Sequence, residues 1–169
     1  MIKRIILLLA MTSALATNLS AQQTNDLVVG NVKKGQFIQI AGHKGKSYRA
    51  YAAGPAEGKL GILFVHDYFG ITESAKESVE LLGAMGYRTI AVDLYNGRSA
   101  TTHDSAVSLM KGKDSLETVE ILQAGIDWLN KPGIKLAAIG FSAGGVDAMN
   151  ATLLEPELFK ATIIVYGGG

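Results

Sequence analysis

The sequence has no cysteine, only 3 prolines and almost no net charge among its 169 residues. Without cysteine it can form no disulfide framework, no thiolate metal site and no lipid-modified cysteine. A formal charge of +1 provides no large basic surface for nucleic acid or acidic lipid. Hydrophobic residues make up 48% of the chain, which predicts one soluble globular domain with its own core.

The first 21 residues have the layout of a secretory signal peptide. Two cationic residues precede an apolar run from Ile5 to Met11, and small and polar residues follow. This run is too short for a permanent membrane helix, which needs about 20 apolar residues. We expect cleavage after Ala21, with Ala16 as the alternative, and a mature chain of 22–169. The protein is then exported, periplasmic or secreted, and makes no stable insertion in the membrane.

Apolar strands alternate with amphipathic helices along most of the mature chain. Strands are predicted at 37–40, 48–52, 60–65, 89–94, 134–139 and 161–166. Helices are predicted from Ser74 to a C-terminal cap at Gly86, at 103–111, from a cap at Asp114 to Pro132, and at 143–154. The first two strands form an antiparallel hairpin. The later strands lack polar alternation, which indicates an α/β fold whose mostly parallel sheet carries helices on both faces.

Two of the helices have recognisable caps and apolar stripes. Ser74 with Glu77, and Asp114 with Glu117, have the spacing of capping boxes. The predicted buried stripes are Ala75, Val79, Leu82 and Met85 in the first helix, and Leu116, Val119, Leu122, Ile126 and Leu129 in the other.

The motif Gly140-Phe141-Ser142-Ala143-Gly144 has the pattern G-x-S-x-G and lies between a predicted strand and a predicted helix. That context is typical of a nucleophile elbow, in which a tight turn exposes the serine oxygen. Ser142 is therefore the candidate nucleophile. An oxyanion hole would need two donors, and we expect the backbone N–H groups of Ala143 and Tyr68.

Three segments resemble the dienelactone hydrolase family of the α/β-hydrolase superfamily. They are FVHDYFGITE at 64–73, AVDLYNGRSATT at 91–102 and IGFSAGGVDAMNA at 139–151. The resemblance covers 37–166, which corresponds to only the N-terminal part of a family domain. It implies a truncated α/β-hydrolase fold and the hydrolysis of small carboxylic esters or lactones, with no cofactor and no metal.

The resemblance also carries expectations for individual residues. The family often has cysteine as its nucleophile, where this chain has Ser142, and usually has glutamate at the position of Asp67. An arginine in the loop that holds Arg98 binds the substrate carboxylate in the family. Arg98 is therefore expected to bind substrate, with a solvated loop charge as the alternative.

No histidine follows Ser142 in the sequence, although the hydrolase triad runs in the order nucleophile, acid, histidine. By resemblance, the acid and the histidine lie on loops beyond Gly169. A serine without a general base has little nucleophilicity, so we expect this chain alone to be a poor enzyme. Two interpretations stay open. The chain is either an ester or lactone hydrolase whose sequence is incomplete, or a truncated, non-catalytic remnant or binding module.

Two further expectations concern His66 and the last strand. The strand of His66 is expected beside the strand of Ser142, so His66 is considered as a substitute base, oriented by Asp67 or Asp93. The strand at 161–166 is apolar and has no successor that pairs with it. An exposed edge of this kind invites self-association.

Overall fold

The computed structural model describes residues 33–58 and 60–167. Within them, six strands form one sheet, and three of the four helices pack directly against it. The strands are β1 (Gln36–Ala41), β2 (Ser47–Ala53), β3 (Leu60–Val65), β4 (Arg88–Val92), β5 (Lys135–Phe141) and β6 (Phe159–Val165). The helices are α1 (Glu73–Ala84), α2 (His103–Lys111), α3 (Ser115–Leu129) and α4 (Gly144–Leu154). The predicted signal peptide lies outside the described residues.

The strands are arranged in the order β1-β2-β4-β3-β5-β6. β1 and β2 form an antiparallel hairpin, and β2 also pairs antiparallel with β4. The pairs β4–β3, β3–β5 and β5–β6 are parallel, with Val65 of β3 opposite Gly140 of β5. The predicted α/β class, the mostly parallel sheet and the N-terminal hairpin are therefore confirmed.

Helices cover both faces of the central strands. Leu63, Ile90 and Leu122 are fully buried on the face that α3 and α4 cover. Phe64 points to the opposite face, because neighbouring strand residues alternate, and packs there in a second cluster with Val79 of α1. Burying one large aliphatic or aromatic side chain contributes about 1.5–3 kcal/mol, so these two clusters hold the layers together.

Helix α1 begins earlier than its predicted cap. Thr72 is the N-cap residue, and its hydroxyl oxygen accepts a hydrogen bond from the N–H of Ala75 at 3.3 Å. The predicted capping box of Ser74 and Glu77 is wrong, because Ser74 already lies inside the first turn. At the start of α3 the predicted cap at Asp114 is confirmed, since its carboxylate accepts from the N–H of Glu117 at 2.8 Å.

The predicted apolar stripe of α3 is only partly buried. Leu122, Ile126 and Leu129 are buried, but Leu116 is 79% exposed and Val119 is 41% exposed. The buried face of α3 also includes Thr118 and Gly125, which a search for apolar side chains does not select. A Cβ at Gly125 would lie 2.5 Å from a methyl group of Val92, so α3 approaches the sheet closely at this point. Met85, in the predicted stripe of α1, is likewise exposed.

The ends of several elements differ from their predicted positions by one or two residues. The strands predicted at 89–94, 134–139 and 161–166 are β4, β5 and β6, with the bounds given above. The N–H of Asp93 still donates to the carbonyl oxygen of Arg49 in β2, but the N–H of Leu94 bonds to a side chain instead of a neighbouring strand. None of the helices in the described part of the chain combines the length and the apolar character needed to cross a bilayer.

Candidate active site

Ser142 stands between the end of β5 and the start of α4. Its φ is +49°, in the left-handed region that residues other than glycine rarely adopt. The Ser142 N–H donates to the carbonyl oxygen of Val165 at 3.0 Å, and its own carbonyl accepts from the N–H of Gly145 at 2.9 Å. These bonds fix the turn from both sides, in the strand–turn–helix geometry of a nucleophile elbow.

Glycines on both sides of Ser142 allow this turn to close. A Cβ at Gly140 would lie 2.3 Å from the carbonyl oxygen of Gly144, and a Cβ at Gly144 would lie 2.2 Å from that of His66. Both distances are far shorter than any van der Waals contact, so neither position has room for a side chain. The start of α4 therefore lies directly against the segment that follows β3.

The two predicted oxyanion donors lie in these two adjoining segments. Among the residues that the structure describes, neither the N–H of Tyr68 nor that of Ala143 is donated to another protein group. Ala143 is the residue before the first turn of α4, so its N–H belongs to the positive end of the helix dipole. Both N–H groups stay available as donors, so the assignment of Tyr68 and Ala143 to an oxyanion hole stays a prediction.

The loop from Asp67 to Gly70 is held by a set of short-range bonds. The Asp67 carboxylate accepts from the N–H of Phe69 at 2.8 Å, which closes a local turn. The N–H of Ala100 donates to the carbonyl oxygen of Phe69 at 2.8 Å. The hydroxyl of Tyr68 lies 3.0 Å from Nδ1 of His103, the first residue of α2. The sequence does not predict this contact, because no local pattern signals a bond between side chains 35 residues apart.

His66 is buried, and both of its ring nitrogens are used. Nδ1 lies 2.6 Å from the carbonyl oxygen of Asp67, and Nε2 accepts from the N–H of Leu94 at 3.2 Å. Burial lowers the pKa of the imidazole, although the carbonyl of Asp67 opposes the shift. The ring is therefore neutral, with its proton on Nδ1. Both ring nitrogens are already bonded, so the substitute-base hypothesis stays a prediction that would require one of these bonds to break.

Asp93 does not orient His66 either. Its carboxylate accepts from the N–H groups of Tyr95 at 3.1 Å and Gly97 at 2.9 Å, and it pairs with Arg49 at 3.3 Å. These three bonds fold the segment after β4 into a compact turn, in which Asp93 is almost fully buried. The Asp93 carboxylate therefore bonds to backbone N–H groups and to Arg49, rather than to the ring of His66.

Arg98 lies in the turn that follows β4. Its Nε donates to the carbonyl oxygen of Tyr95 at 3.1 Å, while the residue as a whole is exposed. Its own carbonyl oxygen would lie 2.9 Å from a Cβ at Gly70, so this turn packs against the loop that carries Tyr68. The structure thus brings Arg98 to the carboxyl ends of the parallel strands, where the predicted oxyanion donors also lie.

A polar cluster lies behind the elbow, and sequence reasoning did not predict it. Asp147, in the first turn of α4, forms a partly buried ion pair with Lys113 from the α2–α3 connection. Tyr95 packs against the ring of His66 with the ring centroids 4.8 Å apart. Burial, together with the negative charges of Asp147 and Asp67, raises the pKa of Tyr95 to about 12. The phenol therefore stays protonated and serves as a support for the site.

A small pocket adjoins the elbow on the side of α1. Aromatic rings, hydroxyl groups and one carboxylate line it, contributed by Phe64, Asp67, Thr72, Ser74, Ala75, Ser78, Phe141 and Tyr166. Phe141 and Tyr166 flank the segments that hold Ser142, so the pocket lies beside the serine. Within 33–58 and 60–167, no group of three or more metal-ligating side chains comes together.

The comparison with known families bears directly on this arrangement. The model of the dienelactone hydrolase family matches residues 48–169, which is well over half of the chain. The chain belongs to the dienelactone hydrolase family. The matched range contains β2 to β6, the elbow at Ser142 and the loop that carries Tyr68. The α/β-hydrolase fold implied by the sequence is thereby shown, because the sheet and its helices are those of this family.

Individual relatives agree with the family assignment. Protein usf of Aquifex pyrophilus is 27% identical over 143 residues, which are 79% of this chain and 62% of that protein. The solved structure named m3DLH superimposes with a TM-score of 0.66 at 24% identity, over 80% of this chain and 60% of that one.

A third relative is a dienelactone hydrolase-like promiscuous phosphotriesterase, P91, from metagenomic libraries. It superimposes with a TM-score of 0.63 at 22% identity, over 80% of this chain and 60% of that chain. At this level of identity the solved structures show the common fold. The chain spans about 60% of the length of these relatives.

Proposed function

We propose that this protein hydrolyses small carboxylic esters or lactones, with Ser142 as the nucleophile. The observation that carries the proposal is the left-handed backbone of Ser142 at the junction of β5 and α4. Such a conformation costs on the order of 1–3 kcal/mol in a residue with a side chain, and this kind of strain concentrates at functional sites. Membership of the dienelactone hydrolase family supports the same class of reaction.

In the proposed reaction, the Ser142 hydroxyl oxygen attacks the carbonyl carbon of the ester while its proton passes to a base. The N–H groups of Tyr68 and Ala143 donate hydrogen bonds to the oxyanion that forms. The alkoxide leaves with a proton, and water then hydrolyses the acyl-enzyme and restores the serine. For a substrate that carries a carboxylate, Arg98 is the proposed partner, because the guanidinium fork matches carboxylate geometry.

The general base is the part of this reaction that the described residues do not provide. The sequence has three histidines, all before Ser142, and the ring of His66 is bound to the backbone at both nitrogens. By resemblance to the family, we propose that the triad acid and histidine are supplied from outside residues 33–167. The same observation favours a second candidate, in which the chain binds small ligands or a partner without catalysis.

Chemical rescue separates the two candidates. The full chain and its Ser142→Ala variant are assayed with 4-nitrophenyl acetate over a series of imidazole concentrations, because free imidazole can replace a missing base. We expect little turnover without imidazole, and at most the roughly 10³–10⁴-fold over water that binding and an oxyanion hole provide. With imidazole, the rate of the full chain should rise above that of Ser142→Ala.

Three results would change the proposal. Equal rates for the two proteins at every imidazole concentration would favour the non-catalytic candidate. Robust turnover without imidazole that is lost in His66→Gln would show that His66 acts as the base after all. Turnover that is retained in Ser142→Ala would remove Ser142 from the mechanism.

We also propose that residues 1–21 direct export to the periplasm or the medium. The support is the sequence pattern of a cationic start, an apolar run and small residues before Ala21. If the protein is expressed from its own start codon in a bacterium, the mass of the exported form should correspond to a chain that begins at Gln22.

A further inference from the structure

We infer that Lys113 supports the proposed serine nucleophile by neutralising the charge of Asp147, which would otherwise oppose negative charge at the elbow. Lys113 acts through Asp147 and not on the reacting atoms, so it is a positioning residue and not a catalytic one. The inference rests on the proposed function of Ser142, and it names a residue outside the elbow that affects the reactivity of this serine.

Asp147 lies in the first turn of α4, four residues after Ala143, whose backbone angles are already helical. Residues four positions apart lie one above the other on a helix, and each Cα–Cβ bond tilts toward the N-terminus of the helix. The side chain of Asp147 is therefore directed toward the turn that begins at Ala143. It belongs to the buried side of α4, which also holds Gly144 and Ala148. The charge of Asp147 thus lies about one helical turn from the proposed oxyanion donor.

The carboxylate of Asp147 is nearly buried, with 9% of its side chain exposed. A charge that has lost its hydration needs a partner of opposite sign. Among the described residues, the one hydrogen-bond partner of this carboxylate is the ammonium group of Lys113. Lys113 lies between α2 and α3, and 21% of its side chain is exposed. The net charge of the pair is therefore zero, and most of the pair is shielded from solvent.

Both charges of the pair act on the aromatic rings next to the elbow. Burial is the main cause of the raised pKa of Tyr95, and the negative charge of Asp147 adds to it. Burial is also the main cause of the lowered pKa of His66, and the positive charge of Lys113 adds to it. The backbone of His66 touches α4, since a Cβ at Gly144 would lie 2.2 Å from its carbonyl oxygen. The pair therefore acts electrostatically on the region that lies directly behind the serine.

The proposed attack creates negative charge at the elbow. The hydroxyl of Ser142 loses its proton as it attacks, and the substrate oxygen becomes an oxyanion beside the N–H of Ala143. The positive end of the α4 dipole stabilises this negative charge. A carboxylate without a partner in the first turn of the same helix would oppose the dipole. With Lys113 bound to Asp147, the dipole and the N–H group act on the oxyanion unopposed.

The two charges can be removed separately, and the sign of the effect then identifies the role of the pair. Lys113→Met leaves a negative charge behind the elbow, whereas Asp147→Asn leaves a positive one. The two substitutions therefore have opposite electrostatic effects on the oxyanion. If the pair were only a tether between α4 and the α2–α3 connection, either substitution would weaken it in the same way.

The rate at which a fluorophosphonate labels Ser142 measures this effect, because the phosphonyl oxygen gains negative charge as the substrate oxygen would. The full chain, Lys113→Met, Asp147→Asn and the double variant are each labelled at neutral pH in the same concentration of imidazole. Lys111→Met is the matched control, because Lys111 carries the same charge nearby in the chain but is exposed. Urea unfolding of each variant shows that folded chains are being compared.

We expect Lys113→Met to be labelled about tenfold or more slowly than the wild-type chain. This is the effect of a unit charge within about 12 Å at an effective dielectric constant of about 20. Asp147→Asn should be labelled at least as fast as the wild-type chain, because Lys113 then adds positive charge. The double variant should return to the wild-type rate. Lys111→Met should also match the wild type, because solvent and salt screen an exposed charge.

Similar slowing in Lys113→Met, Asp147→Asn and the double variant would overturn the inference and identify the pair as a tether. Wild-type labelling rates in all of these variants would overturn it as well, while Ser142 would remain the nucleophile. If the wild-type chain is not labelled at Ser142, the proposed function fails, and the inference fails with it.

The test does not depend on the folding of Lys113→Met. Asp147→Asn retains the positive charge of Lys113, and the double variant lacks both charges, so the double variant should be labelled more slowly than Asp147→Asn. A tether is already broken in both of these proteins. Equal labelling rates for the two would therefore overturn the inference.

Discussion

Ser142 and His66 each follow one of two neighbouring parallel strands, and the structure gives their side chains different surroundings. Ser142 is partly exposed in a strained turn. His66 is buried, and its ring bonds to the backbone at both nitrogens. The first arrangement suits a reacting group, and the second suits a residue that joins the loops after β3 and β4.

The neutral state of His66 predicts how stability depends on pH. Burial lowers its pKa in the folded chain below the ordinary value of 6.5, so the unfolded chain binds the proton first as pH falls. The free energy of unfolding should therefore decrease as pH falls below 6.5, until the pKa of the folded state is reached. We expect His66→Gln to lose about 1–3 kcal/mol at pH 8, because the bonds to Leu94 and Asp67 are disturbed.

Urea unfolding at intervals from pH 8 to pH 5 measures this effect. The stability difference between wild type and His66→Gln should shrink as pH falls below 6.5, since only the wild type loses the contribution of this histidine. His43→Gln is the control, because His43 lies exposed in the 3-10 turn between β1 and β2. A constant difference across the whole range would show that His66 does not titrate differently in the folded and unfolded states.

At the scale of elements, Gly144 sets the distance between α4 and β3. A Cβ there would lie 2.2 Å from the carbonyl oxygen of His66 and 2.7 Å from that of Val65, both of them rigid backbone atoms. We expect Gly144→Ala to destabilise the protein by about 2–3 kcal/mol, because α4 must move away from the sheet. Urea unfolding at pH 7.5 checks the size of the loss.

Gly112→Ala is the matched substitution for this experiment. Gly112 follows α2 with a φ of −84°, and the nearest atom to an added Cβ is 3.3 Å away, so the change should stay within about 1 kcal/mol. Similar losses of stability in the two variants would mean that the close approach of α4 to β3 at Gly144 is unimportant for stability. A loss confined to Gly144→Ala would identify the contact between α4 and β3 as its cause.

The sequence predicts the type and order of the elements better than their contacts. Apolar runs and the G-x-S-x-G motif locate the strands, the elbow and the resemblance to the family, because these features are local. The position of Leu116 at the surface is set by the closeness of Gly125 to the sheet, which no local pattern shows. The two backbone bonds of His66 likewise depend on how the loops after β3 and β4 meet.

For the molecule as a whole, the two edges of the sheet differ in character. β1 pairs with β2, and five of its six residues are at least partly exposed, whereas β6 carries isoleucines that are 42% and 49% exposed. Apolar surface that stays in water contributes nothing to folding, so we expect a weakly stable monomer.

Differential scanning calorimetry tests this expectation. The transition of the chain should lie below about 60 °C at micromolar concentration. A monomer by light scattering with a sharp, reversible transition above about 60 °C would instead indicate a self-sufficient fold.

The assignment of Ser142 as the nucleophile is the central claim, and a covalent label tests it most directly. The chain is treated with a fluorophosphonate in the presence of imidazole, and the modified peptide is located by mass spectrometry. The account predicts one phosphonyl group per chain, attached to Ser142, and no adduct in Ser142→Ala. An adduct on another residue, or equal labelling of the variant, would contradict it.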